Sequence, residues 1–381
     1  MAGTKIKDTF KELISPFLKA KMEEAKKVFG ENSPEYFAIA RQYIYNDEEK
    51  KIEAAFEKPR HYQSELKGFY DNKPLAGLER LYKKTILIEP TTVCAAHCRW
   101  CLRGQYPTET MSKENIINAT KYIGSEERKN ELDEVLITGG DPLMSIPLLE
   151  FTLKQIKKNA SNIKIIRLAS RVPFQDPERI NDRMLEVFSE IDGIRFELGT
   201  HVNHAVEFWP ETVKALEKLK NVGFRIYNQN PLLKGVNDNL KTLIDLYTAL
   251  RDNDIESHYL FHAIPMRGMS HHRTSVKKGL DLSNALNSCG EFSGRSKAKY
   301  CLLTDIGKIV LYHDTIVDRR ISDNSILLKS GFNIKDRMRW NPSWKKPESV
   351  EVDKNGIMYV WYLDADLKNP EEKSEFQQVT V

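Results

Sequence analysis

The sequence predicts an α/β protein: a partial (β/α)6 TIM-type barrel with an N-terminal helical layer and a C-terminal β-rich extension. Three observations predict it. Between about residues 85 and 290, short β-branched runs alternate six times with longer amphipathic segments, the pattern of parallel strands joined by crossover helices. Before this stretch the chain reads as Lys- and Glu-rich helices, and after it the alternation fades into short strands and turns. The residues with chemical capacity cluster just after the first strands, where a parallel barrel gathers its loops. That placement favours a partial barrel over a closed eight-unit barrel or an open sheet.

In the first region, residues 1–77, Phe10, Ile14, Phe17 and Leu18 recur at helical spacing, and a second segment runs around Met22 to Phe29. Ser33-Pro34 starts another helix, carrying Tyr36, Ile39, Ala40 and Ile44. These helices are expected to cover the core. In the barrel region, residues 78–290, strands are expected at Thr85–Glu89, Glu134–Thr138, Lys164–Ala169, Gly193–Leu198, Phe224–Asn230 and His258–His262. Helices are expected at Lys113–Ile123, Ile146–Lys158, Glu178–Ile191, Pro210–Asn221, Asn239–Arg251 and Gly279–Ser288. The extension, residues 291–381, offers strands at Lys299–Leu303, Lys308–Tyr312, Ser325–Lys329 and Met358–Leu363, with a hairpin turn at Asp353-Lys-Asn-Gly356.

With 40% hydrophobic and 29% charged residues, the 381-residue chain can bury a sizeable core. A formal charge of +4 is too small to argue for a nucleic-acid partner. No apolar run is long enough for a membrane span, and Met1-Ala-Gly-Thr-Lys5 lacks the apolar segment of a secretory signal. Cys289 and Cys301 complete no evident disulfide framework, and functional thiolates suit a reducing compartment, so a cytoplasmic location is expected. A homo-oligomer is left open.

Cys94, Cys98 and Cys101 form a C-x3-C-x2-C array. Three thiolates without a close fourth can hold a [4Fe–4S] cluster by three irons, leaving the fourth open to another ligand. A structural zinc site or plain core cysteines are the alternatives. After the second strand, Gly139-Gly140-Asp141-Pro142 combines two residues that permit close approach with an anionic acceptor. It also suits a simple strand-to-helix turn in which Asp141 supports a helix N-terminus. Ser170-Arg171-Val-Pro173 follows the third strand.

These segments resemble the radical S-adenosylmethionine (SAM) enzymes and, within them, the lysine 2,3-aminomutase-like branch. The likeness is carried in order by the cysteine array, Leu136-Ile-Thr-Gly-Gly-Asp-Pro-Leu143, Arg167-Leu-Ala-Ser-Arg-Val-Pro173, His201-Val-Asn-His204 and Asn228-Gln-Asn-Pro-Leu-Leu-Lys-Gly-Val-Asn-Asp238. His271-His-Arg-Thr274 before Lys277-Lys-Gly279 continues it. The resemblance implies that SAM ligates the open iron and that a low-potential electron donor reduces the cluster. The radical so formed would abstract hydrogen from a small amino-acid-like substrate. It further implies that Gly139, Gly140 and Asp141 hold SAM, that Arg171, His204 and Gln229 lie beside SAM or pyridoxal phosphate (PLP), and that Arg103 binds the substrate carboxylate. For His204 and Gln229, the residues alone also allow a helix cap and a loop hydrogen bond. Lys308 falls where the branch carries the lysine that bonds PLP, chemistry an amine performs when positioned and deprotonated. Amino migration with PLP is the activity so implied.

Some positions depart from the branch. The glycine-rich segment that normally precedes the lysine is missing. Leu81 and Thr85 occupy phosphate-anchor positions, with Arg80, Lys83 or Lys84 as the available substitutes. Ile264 stands where a lysine-selective member has a carboxylate, and the second carboxylate is displaced to Asp305 or lost. The expected function is therefore an amino-acid aminomutase. The alternatives are a PLP-independent radical SAM isomerase, lyase or modification enzyme, and a non-enzymatic zinc or Fe–S interaction module.

Overall fold

Capped helices open the described chain. α1 (Pro16–Phe29) and α2 (Pro34–Tyr43) each begin with proline after a serine, and Ser15 and Ser33 accept from the backbone N–H groups of Leu18 and Tyr36. Their apolar faces, with Leu18, Met22, Ile39 and Tyr43, pack against Ala96 and Trp209, so the layer covers the cysteine loop directly. The computed structural model describes residues 11–51, 67–70, 73–105, 109–294, 296–312 and 314–365.

The end of the first region departs from the expected helical layer. β1 (Lys67–Tyr70) and β2 (Lys73–Glu79) form an antiparallel hairpin that pairs with β3 (Thr85–Thr91) and shields its edge. Sequence patterning missed this hairpin because Lys-Pro-Leu-Ala-Gly-Leu-Glu has no β-branched residue.

From β3 the alternation predicted by the sequence is present. The chain continues through α3 (Lys113–Ile123), β4 (Glu134–Gly139), α4 (Ile146–Asn159), β5 (Ile165–Ala169), the short α5 (Val172–Gln175) and α6 (Asp182–Ser189). It then forms β6 (Arg195–Thr200), α7 (Pro210–Asn221), β7 (Arg225–Asn228), β8 (Pro231–Leu232) and α8 (Leu240–Asp252). β9 (Glu256–Ser257), β10 (Tyr259–His262) and α9 (Val276–Ser288) follow. β3, β4, β5, β6, β7 and β9 pair in parallel, in that order. The fifth and sixth strands are each broken in two, and their second halves, β8 and β10, carry the curvature into a second sheet.

Strands expected in the extension divide between two places. β11 (Lys299–Thr304) pairs in parallel with β10, adding a seventh parallel strand, and β12 (Gly307–Val310) folds back on it with Leu303 opposite Lys308. β13 (Ile316–Arg320), β14 (Ser325–Asn333), β15 (Val350–Val352) and β16 (Ile357–Leu363) make a separate antiparallel sheet, with α10 (Ile334–Trp340) after β14. That sheet is tied to the barrel by specific bonds. Arg337 donates to the carbonyl of Ile306 in the β11–β12 turn at 2.5 Å, Arg273 donates to Leu363 O at 2.7 Å, and Asn341 donates to Arg80 O at 2.9 Å. Among the described residues, no helix is long and apolar enough to cross a membrane.

Candidate active site

The loops after β3, β4 and β5 and the β11–β12 hairpin border one cavity of about 320 Å³. Its lining includes Cys94, Cys98 and Cys101 of the cysteine wall, with Gly139, Gly140, Asp141, Ser170 and Arg171 from the next two loops, and His201, Gln229, Ile264 and Lys308 from later in the chain. No group of three or more His, Cys, Asp or Glu among the described residues closes around a single metal ion, so the three thiols face a shared space rather than a point. Burial, with Cys101, Asp141 and Cys98 beside it, pushes the Cys94 thiol up from its ordinary value.

The cysteine loop is fixed by the glycine pair. The N–H groups of Gly140 and Asp141 donate to the carbonyls of Thr91 and Val93, both at 2.8 Å. Gly139 has φ +114°, and a Cβ at either glycine would press on the backbone of residues 91–93 well inside van der Waals contact. Asp141 points into the adjoining loop instead of the open space. It accepts from Leu143 N (3.0 Å), Ser170 Oγ (2.8 Å), Arg171 N (2.8 Å) and Val172 N (3.2 Å). Burial still pushes its carboxyl up against the pull of those bonds. Its role here is to lock the second and third loops together.

Arg171 is committed as firmly. One nitrogen of its guanidinium donates to Cys98 Sγ at 3.0 Å, and the other to Glu207 Oε2 at 2.9 Å and Gln42 Oε1 at 3.0 Å. Its plane lies over the rings of Trp100 and Tyr43. Burial works against this charge, but Cys98, Tyr43 and Glu207 outweigh it and hold the group above its ordinary value. Glu207 is wholly buried and also accepts from the backbone of Asn203 and His204. Arg171 is thereby a fixed positive charge against the cysteine that sits between the helical layer and the barrel.

Lys308 reaches the cavity from β12. Its ammonium lies 5.3 Å from the ring of Tyr259 and 5.2 Å from that of Phe261, and its backbone N–H donates to Tyr82 Oη at 3.2 Å. Burial, with Arg167 also opposing its charge, lowers its pKa from 10.5 to about 8. About a tenth of the amine is thus neutral at pH 7, far more than for an ordinary lysine. His201, partly buried, is lowered to about 3, first by desolvation and then by Arg171 and Lys308, and is neutral.

The cavity therefore brings together Cys94, Cys98, Cys101, Gly139, Gly140, Asp141, Arg171, Gln229 and Lys308. His204 is not among the residues lining it. Its Nδ1 accepts from Val206 N at 3.2 Å and caps the short turn Ala205–Glu207, while His201 from the same segment faces the cavity. The backbone of Arg103 lies in the 3-10 turn Leu102–Gln105, and its side chain is outside the described residues. Arg80, Lys83 and Lys84 do not line the cavity, and Arg80 is ion-paired with Glu131 at 2.6 Å. Sequence reading missed Gln42 and Glu207. A glutamine amid the buried face Ala38, Ile39, Ala40 and Tyr43 was the available signal for Gln42, since a buried amide needs a partner.

Comparison with known proteins identifies the family. The Radical SAM superfamily description matches residues 88–247. A protein of Aquifex aeolicus (strain VF5) named "Putative L-lysine 2,3-aminomutase" is 31% identical over 316 residues, covering 79% of this chain and 83% of that protein. L-lysine 2,3-aminomutase of Methanococcus maripaludis is 35% identical over 234 residues, covering 60% of this chain and 52% of that protein. Among solved structures, a radical SAM methyltransferase from Sphaerobacter thermophilus matches at 16% identity and a TM-score of 0.43, too low to add to this, over 59% of this chain and 68% of that one. The chain belongs to the radical SAM superfamily, as a divergent member of its lysine 2,3-aminomutase-like branch.

Proposed function

We propose that the chain is an amino-acid aminomutase that starts its rearrangement by hydrogen abstraction. One observation carries this reading: the three cysteines and the buried amine of Lys308 open onto the same cavity. The cysteine wall fits a cluster, because three thiols share a space beside a paired arginine. Cys94, Cys98 and Cys101 would hold the [4Fe–4S] cluster, and SAM bound beside Gly139 and Gly140 would supply the hydrogen-abstracting radical once a low-potential donor delivers an electron. Lys308 fits the carbonyl end of PLP, which when bound supplies an electron sink for the migrating amino group. The aromatic rings of Tyr259 and Phe261 exclude water from that amine and keep its proton loosely held. Arg103 is assigned to the substrate carboxylate.

A second reading, radical chemistry without PLP, is favoured by one specific observation. Arg171 and Lys308 are the only arginine or lysine residues among the described residues lining the cavity, and Arg171 is already engaged by Glu207 and Gln42. Among the described residues, a phosphate would find no uncommitted arginine or lysine there except Lys308 itself. The two readings separate after anaerobic reconstitution with iron and sulfide, addition of SAM and PLP, and borohydride reduction. A PLP-mass adduct on the Lys308 peptide, together with reductive release of 5′-deoxyadenosine, is expected. SAM cleavage with an unmodified Lys308 at saturating PLP would establish the second reading in its place.

A further inference from the structure

An ammonium leaves water only when a carboxylate receives it, because an unpaired buried charge is among the costliest groups in a protein interior. The carboxylates at and near the cavity bear on what charge it can accept; Glu89, buried on β3 beside Gly139, is not in its lining. Asp141 is the one carboxylate among the described residues that line it, and its two oxygens already accept from Ser170, Leu143, Arg171 and Val172. Glu207, behind Arg171, is held by that arginine, Gln42 and two backbone N–H groups. Deeper in the barrel, Glu134 is paired with Arg167 at 2.5 Å, and Glu197 with Arg195 at 2.9 Å and Arg167 at 3.5 Å. Asp305 adjoins the hairpin of Lys308 but turns away. It accepts from Ser349 Oγ in the C-terminal region at 2.5 Å and does not line the cavity. The apolar part of the lining includes Leu87, Leu136, Phe261, Ala263, Ile264 and Leu303.

We infer that this cavity selects an α-amino acid with an uncharged, apolar side chain and rejects lysine, an inference that rests on the aminomutase reading. An acidic side chain is no better served. Arg171 is already bonded to Cys98, Gln42 and Glu207, Lys308 is assigned to the amine chemistry of that reading, and the described lining residues include no other arginine or lysine. An apolar side chain meets matching surface at Ile264, Phe261 and Leu303 and leaves no buried group unpaired.

Calorimetric titration of the full chain, anaerobically reconstituted with cluster, SAM and PLP, tests this. L-leucine, L-phenylalanine, L-lysine and L-glutamate are the probes, followed by mass detection of β-amino products after reduction. L-leucine or L-phenylalanine should bind at least about tenfold more tightly than L-lysine and yield the product. The Ile264→Asp variant should reverse that order by supplying the missing carboxylate. Ile264→Asn, close in volume but uncharged, should weaken leucine without gaining lysine, and it serves if the aspartate variant does not fold. Preference of the native protein for lysine or glutamate overturns the inference and leaves the aminomutase reading standing. If no free amino acid binds while SAM is still cleaved reductively, both fall.

Discussion

The two walls of the cavity are built on opposite principles. On the cysteine wall both charged groups are bonded: Asp141 by three backbone N–H groups and a hydroxyl, and Arg171, through its two terminal nitrogens, by Glu207, Gln42 and Cys98. On the lysine wall a buried amine faces aromatic rings, with no carboxylate bonded to it among the described residues. A hydrogen-bonded network fixes geometry, whereas an amine with no carboxylate partner sits closer to neutrality and stays reactive. The first wall is therefore expected to contribute stability, and the second to give some of it up for reactivity.

Removing Glu207 breaks that contrast most severely. Glu207→Ala would strand the Arg171 guanidinium in the interior and leave the N–H groups of Asn203 and His204 without their acceptor. A loss of about 3–5 kcal/mol is expected from the shift in urea midpoint of the cluster-free chain at pH 7. Glu207→Gln, which keeps an acceptor but not the charge, should lose less. Equal effects of the two would show that the charge on Glu207 contributes little to the wall.

On the lysine wall the sign reverses. Because Lys308 titrates near 8 in the folded chain and at 10.5 unfolded, the unfolded state holds more protons between those values, and stability rises with pH across that window. Below pH 8 the buried charge costs about 3 kcal/mol, since each unit of displacement is worth about 1.4 kcal/mol. Lys308→Met should therefore raise the unfolding free energy at pH 7 by up to that amount, read from the shift in urea midpoint. The advantage should shrink as pH climbs from 8 toward 10.5. A variant less stable than the parent at pH 7 would mean that the amine is satisfied in the fold after all.

The walls also differ in how readily their sequence could be read. Cys94, Cys98, Cys101 and Gly139-Gly140-Asp141 each lie within one loop at a strand end, so spacing and residue type expose them, and the six-fold alternation places those loops together. The lysine wall is assembled from far-separated pieces. Tyr82 comes from before β3, Tyr259 and Phe261 from β10, and Arg337 from α10 holds the turn. Nothing local marks such a convergence. Thr304-Asp-Ile-Gly307 reads as a tight turn and is one, but the side on which Lys308 emerges depends on β11 joining the barrel as a seventh parallel strand. The direction of Asp305 was equally hidden, because its partner Ser349 is 44 residues away.

Tyr82 offers the smallest and most selective probe of the two walls. Its hydroxyl accepts from the backbone N–H of Lys308, and burial raises its own pKa to about 12, so it is a neutral phenol throughout the working range. Tyr82→Phe keeps the ring against Phe332, 5.9 Å away between centroids, but deprives the Lys308 N–H of its acceptor. The expected loss of stability is about 1 kcal/mol, the usual magnitude for one protein hydrogen bond. Removing that acceptor loosens the strand that presents the amine, so PLP trapping at Lys308 should slow while iron incorporation by the three cysteines stays unchanged. A parallel fall in iron content would couple the walls mechanically through the barrel. Unchanged iron with slower trapping would show that the cluster site and the amine site are held by separate sets of contacts, as the bonds of Arg171 and Tyr82 indicate.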